Sequence, residues 1–175
     1  MKKVIFLDID GVLQPIGKQT RFNHDMDKLK TQLAEQYQDE GFLHMDKYDL
    51  AAVYYDWDKQ AVERLRKLVE AVDAKIIISS DWRRYNPFPK INYLFKLHHL
   101  DPFVTGQTPI LEKSRSDEIA QYLELNDDIQ NFVILDDSYR REFEEKYPEQ
   151  FVYCAGIFDD DCYDKAQTIL ANQLG

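Results

Sequence analysis

Cysteine is scarce. Cys154 and Cys162 are the chain's two, eight residues apart, with no CxxC pair and no histidine pair beside them. That spacing supports neither a zinc centre nor a disulfide framework, and it fits a reducing compartment. Long apolar runs are missing too. Lys2 and Lys3 followed by Val4–Leu7 start like a signal peptide, but the run stops at Asp8. Four apolar residues fall short of the roughly 7–15 that such a segment needs, and no stretch approaches the ~18 of a membrane span. The expectation is a cytoplasmic protein with no membrane partner. Cations are in the minority: 22 Lys and Arg stand against 32 Asp and Glu, a formal net charge of −10. Such a balance disfavours a broad surface for coating nucleic acid, although it leaves room for a local basic pocket. No internal repeat or low-complexity segment is visible.

What is present is ordinary globular material. With 175 residues, 44% hydrophobic and 31% charged, the chain predicts one domain over residues 1–175 with a sizeable core. Val4–Leu7, Ile76–Ser79, PFVTG, NFVILDDS and FVYCAG read as short strands, the apolar runs among them buried. Between them lie helical patterns. Met26, Leu29, Leu33 and Tyr37 share one spacing, with Gly41 as a stop, and Ala61, Leu65, Leu68 and Val72 share another. INYLFKLHHL, SRSDEIAQYLEL (capped by Ser114 or Ser116), SYRREFEEKYP and DDCYDKAQTILANQLG supply the rest. Strands alternating with helices predict an α/β three-layer sandwich around a mainly parallel, Rossmann-like five-stranded sheet. About 65 residues separate the first two strands, far more than one crossover helix requires. The excess, about residues 14–56, reads as a small helical cap inserted after the first strand.

The stretch VIFLDIDGVL sets the chemical question, because it ends a strand with two carboxylates one residue apart. In a parallel sheet all strand carboxyl ends share one edge, where open α/β sheets bind ligands. Asp8 and Asp10 therefore meet Ser79 and Ser80 there, together with Asp136 and Asp137 from VILDDS. Residues two apart on a strand point to the same side, so Asp10 reaches the group that Asp8 faces. Four converging carboxylates repel unless protonated or neutralised, and an all-oxygen site suits magnesium. Lys113 and Arg115 open a helix whose N-terminus favours an anion. Acids with a metal, opposed by a hydroxyl and a cation, are the equipment of phosphoryl transfer. Arg83 is a further candidate for gripping a substrate phosphate, while His98 and His99 read as structural and Trp82 as packing.

These residues carry a resemblance. FLDIDGVL, IIISS, Lys113 or Arg115, and VILDDS resemble, in order, the four motifs of the haloacid dehalogenase (HAD) superfamily. A narrower likeness, through SSDWR, RSDEI and ILDD, is to the HAD domains of multi-domain RNA-repair proteins. The resemblance implies a magnesium-dependent phosphatase with an aspartyl-phosphate intermediate. Asp8 would be the nucleophile and Asp10 the general acid and base. Ser79 and the cation, Lys113 or Arg115, would hold the phosphoryl oxygens. Mg2+ would lie at Asp8, Asp10 (through its backbone carbonyl), Asp136 and Asp137. The presence of Asp10 favours hydrolysis over a long-lived phosphoenzyme. Alternatives are a phosphotransferase, a polynucleotide-end phosphatase and a non-catalytic partner-binding module. The expected substrate is a small phosphorylated metabolite or a phosphorylated polymer end, with net charge weighing against nucleic acid.

Overall fold

Strand β1 (Lys2–Leu7) needs cover on both faces. Ile5 and Leu7 enter one apolar cluster, and Val4 and Phe6 enter a second one across the sheet. In the computed structural model, which describes residues 2–172, β1 accordingly lies at the centre of five parallel strands. β2 (Ala74–Ile78) and β4 (Ile129–Asp136) flank it. β3 (Val104–Gln107) and β5 (Phe151–Tyr153) complete the order β3-β2-β1-β4-β5. With helices on both faces, this is the three-layer α/β arrangement that the alternating pattern predicts.

The helices are α1 (Met26–Tyr37), α2 (Lys47–Ala51), α3 (Lys59–Val72), α4 (Asn92–Lys96), α5 (Arg115–Glu124), α6 (Arg140–Lys146) and α7 (Asp160–Ala171). Leu65 and Leu68 of α3 and Ala166 and Leu170 of α7 join the cluster of Ile5 and Leu7. Ile119 of α5 and Phe143 of α6 cover Val4 and Phe6. Part of the acidic excess is spent on helix starts. Asp25, Asp46, Asp58 and Asp159 each accept a first-turn backbone N–H. Ser114, not Ser116, caps α5.

Two boundaries differ from the sequence reading. Helix α1 ends at Tyr37 because Gln38 takes the left-handed conformation, φ 50°, that glycine was expected to supply at position 41. Gly41 instead sits in a 3-10 turn (Glu40–His44), where a Cβ would collide with the Tyr93 ring. Strand β2 ends at Ile78, so Ser79 stands just beyond it. The last residues of the expected closing helix lie outside those described.

Residues 14–56 fold as short turns of 3-10 and π type around α1 and α2. Leu29, Leu33, Phe42 and Leu50 bury into the same cluster as β1, so this segment shares the main core. Its ends are tied together by buried Asp56, which accepts from Thr20 Oγ1 at 2.5 Å and pairs with Arg21 Nη1 at 2.6 Å. His98 is structural: half-buried, stacked on Trp57, with Nε2 2.9 Å from the Val53 carbonyl. Among the described residues no helix is long and apolar enough to cross a membrane. Cys154 and Cys162 are both buried and unbridged.

Candidate active site

Asp8 is the first residue beyond β1, and the sheet still holds its backbone: its N–H donates to Leu135 O at 3.0 Å. Asp136 closes β4, and its carbonyl accepts from Cys154 N–H at 2.9 Å. Both carboxylates are buried, at 4% and 0% exposure. Arg115, the first residue of α5, projects between them. Its Nη1 lies 2.7 Å from Asp136 Oδ2 and 3.2 Å from Asp8 Oδ1. The Tyr139 ring stands 4.7 Å from the guanidinium carbon, so the cation is framed by carboxylates and an aromatic face.

Burial dominates the electrostatics. It pushes the Asp8 carboxyl up to about 7, with the Asp136 charge adding to the rise and Arg115 opposing it. Asp136 is raised for the same first reason, and Arg115 again works against it. Burial alone would weaken the charge on Arg115, but Asp136 and Asp8 outweigh it and raise its pKa further.

Asp137 completes an acidic cluster. Asp8, Asp136 and Asp137 each offer a carboxylate oxygen, all within 4.8 Å of one another. Gly11 makes that approach feasible. It adopts φ +75°, and a Cβ there would run into the Asp137 carboxylate. Arg115 also reaches Asp81 Oδ2 at 3.6 Å, so one guanidinium serves Asp8, Asp136 and Asp81, and the clustered aspartates keep a surplus of negative charge when all are ionised. An all-oxygen donor set with that surplus fits a small divalent cation.

Residues 4–158 match the family described as the HAD domain in Swiss Army Knife RNA repair proteins. The chain belongs to this HAD family. No curated protein and no solved structure matches it. The HAD superfamily is generally a hydrolase one, and in this HAD domain the acidic cluster sits at the carboxyl ends of β1 and β4.

The HAD domain gathers some of the expected residues and not others. Asp8, Asp10, Arg115 and Asp137 line one cavity of about 210 Å³. Lys113 is exposed in the loop before α5, and Arg115 is the cation that reaches the carboxylates. Ser79 stands level with Asp8, since its N–H donates to Leu7 O at 3.0 Å. Its hydroxyl is fully buried, with no hydrogen-bond partner among the described residues. The serine that lines the cavity is Ser80. It also caps the following turn, accepting from Trp82 N–H at 3.4 Å.

Arg83 requires a correction. It is 1% exposed, and its guanidinium donates to the carbonyls of Ser79, Ser80, Thr108 and Pro109 and to the Glu118 carboxylate. With its donors committed, Arg83 braces the loop after β2 and is not free to grip a phosphate. The Asp10 carboxylate lies outside the three-aspartate cluster. It accepts from Trp82 Nε1 at 3.0 Å, so Trp82 does more than the packing expected of it. Partial burial raises the Asp10 carboxyl, with the Trp82 bond pulling the other way. Position alone signalled Trp82 and Ser80, both in SSDWR at the end of β2; their side-chain directions in a loop had no sequence periodicity to reveal them.

Proposed function

We propose that this HAD domain is a magnesium-dependent phosphatase that hydrolyses phosphomonoesters through phosphorylation of Asp8. The observation carrying this reading is the bridge from Arg115 to Asp8 and Asp136, with Asp137 close by and Asp10 lining the same cavity. The phosphoryl group would enter the 210 Å³ cavity, where Arg115 offsets its negative charge. An oxygen of Asp8 attacks phosphorus while the bond from phosphorus to the leaving oxygen breaks. Protonated Asp10 gives its proton to that oxygen, and the alcohol departs. Asp10, now a base, takes a proton from water as the water attacks phosphorus. The bond to Asp8 breaks, phosphate leaves, and both aspartates return to their starting states.

Asp8, Asp136 and Asp137 would hold the Mg2+, which supplies further neutralisation of phosphoryl charge when bound. Phosphate release from p-nitrophenyl phosphate tests the reading, with magnesium, with EDTA, and in Asp8→Asn. Turnover requiring both the metal and Asp8 is the expected result. Folded protein whose turnover ignores both would refute it.

A further inference from the structure

A second cavity, of about 300 Å³, adjoins the first and shares Asp10 and Asp81 with it. Its walls come from two parts of the chain. The insertion contributes Arg21, Tyr48 and Asp49, and the segment after β2 contributes Trp82, Tyr85 and Asn86. A group leaving from the phosphoryl cavity past Asp10 would enter this space.

Its polar atoms are poised for a ligand. Asn86 is 1% exposed, and its Nδ2 donates to Asp49 Oδ2 at 2.7 Å, which fixes the orientation of the amide. The other atom, Oδ1, is buried without a hydrogen-bond partner among the described residues. Gln14 Oε1 and Arg21 Nε, on two further lining residues, are in the same condition. Buried polar atoms left unpaired are costly, so each one favours a ligand that completes it. Two acceptors and one donor together match hydroxyl groups, which both give and receive hydrogen bonds.

Charge narrows the class. Asp10 and Asp49 are bonded to neutral donors, Trp82 Nε1 and Asn86 Nδ2, and neither forms an ion pair among the described residues. Arg21 is already paired with Asp56 at 2.6 Å. A leaving group carrying another phosphate would meet the carboxylates of Asp10, Asp49 and Asp81, and among the described residues lining the cavity no cation without an acidic partner. A neutral ring would lie against Trp82, Tyr48 and Tyr85, whose faces suit the C–H side of such a ring.

The geometry points to a leaving-group site for a neutral, hydroxyl-rich ring, so that the substrate is a sugar-like monophosphate and not a strand bearing further phosphates. This rests on the hydrolase reading, but it can be tested by binding alone. Asp8→Asn protein is titrated with magnesium and either a hexose monophosphate or a 5′-phosphorylated dinucleotide, following the Trp82 indole N–H by NMR. The sugar phosphate is expected to shift that signal and to bind about tenfold more tightly than the dinucleotide. Tyr85 is 78% exposed, so Tyr85→Ala keeps the fold. That variant is expected to weaken the sugar phosphate about fivefold and leave inorganic phosphate unchanged. Equal or tighter binding of the dinucleotide, or no response of Trp82 to the sugar phosphate, overturns the assignment. Lack of p-nitrophenyl phosphate turnover would strike the hydrolase reading and not this binding result, so the two failures are distinguishable.

Discussion

The guanidinium of Arg115 stands 2.7 Å from Asp136, and the same nitrogen lies 3.2 Å from Asp8, so one cation serves two buried carboxylates. Removing one member of a buried pair leaves an uncompensated charge and is costly. Arg115→Ala is expected to lose about 3 kcal/mol of stability at pH 7 in metal-free protein. The loss should shrink at pH 5, where Asp8, whose carboxyl burial raises to about 7, takes up a proton. Urea denaturation at the two pH values checks this. An equal loss at both would show that Arg115 acts through packing alone.

Asp8 carries the opposite expectation. Burial disfavours its charged form, so Asp8→Asn should stabilise metal-free protein at pH 8 while abolishing turnover. A gain of about 1–2 kcal/mol corresponds to a rise of about 3–6 °C in Tm for a chain of this size. Arg115 keeps Asp136 as a partner in that variant. A fall in Tm on thermal denaturation would contradict the account.

The pH dependence follows from the same residue. The folded Asp8 carboxyl titrates at about 7, above its ordinary value of 3.8. Folded protein therefore binds more protons than unfolded protein between those values. Asp8's contribution to stability is full below the ordinary range and is lost as pH rises through about 7. Magnesium competes with that proton. The Tm increase produced by magnesium should grow from pH 5.5 to 7 and level off above it. A magnesium effect that is flat across the range would contradict a metal bound through Asp8.

Trp82→Phe removes the 3.0 Å hydrogen bond to Asp10 and keeps an aromatic ring in place. If that bond aims the acid, kcat should fall about tenfold for an alkyl monophosphate, whose leaving oxygen needs a proton. The pre-steady-state burst of p-nitrophenol from p-nitrophenyl phosphate, whose leaving anion needs no proton, should be nearly unaffected. Equal losses on both would mean that Trp82 acts on something other than Asp10.

The parts of the site tied to strands were legible in the sequence. Parallel strands put their carboxyl ends on one edge, and Asp8 and Asp136 follow directly from apolar runs. Side chains beyond the strands were not. Nothing local distinguishes Ser79 from Ser80, or a solvated Arg83 from a buried one. The burial of Arg83 depends on Glu118, which lies 35 residues further on. Outside α1, residues 14–56 lack a clear period because much of that stretch is single 3-10 and π turns, while its apolar residues still share the main core.

The most direct test of the central claim is a search for phosphate covalently bound to Asp8. Asp10→Asn protein with magnesium would be mixed with p-nitrophenyl phosphate, quenched in acid within milliseconds, digested and examined by mass spectrometry. This substrate needs no acid to leave, whereas release from Asp8 needs Asp10 as a base, so the acyl phosphate should accumulate. The account predicts one phosphoryl group on the peptide containing Asp8, removable by hydroxylamine. A burst of p-nitrophenol with no label on Asp8, or label on another residue, would contradict it.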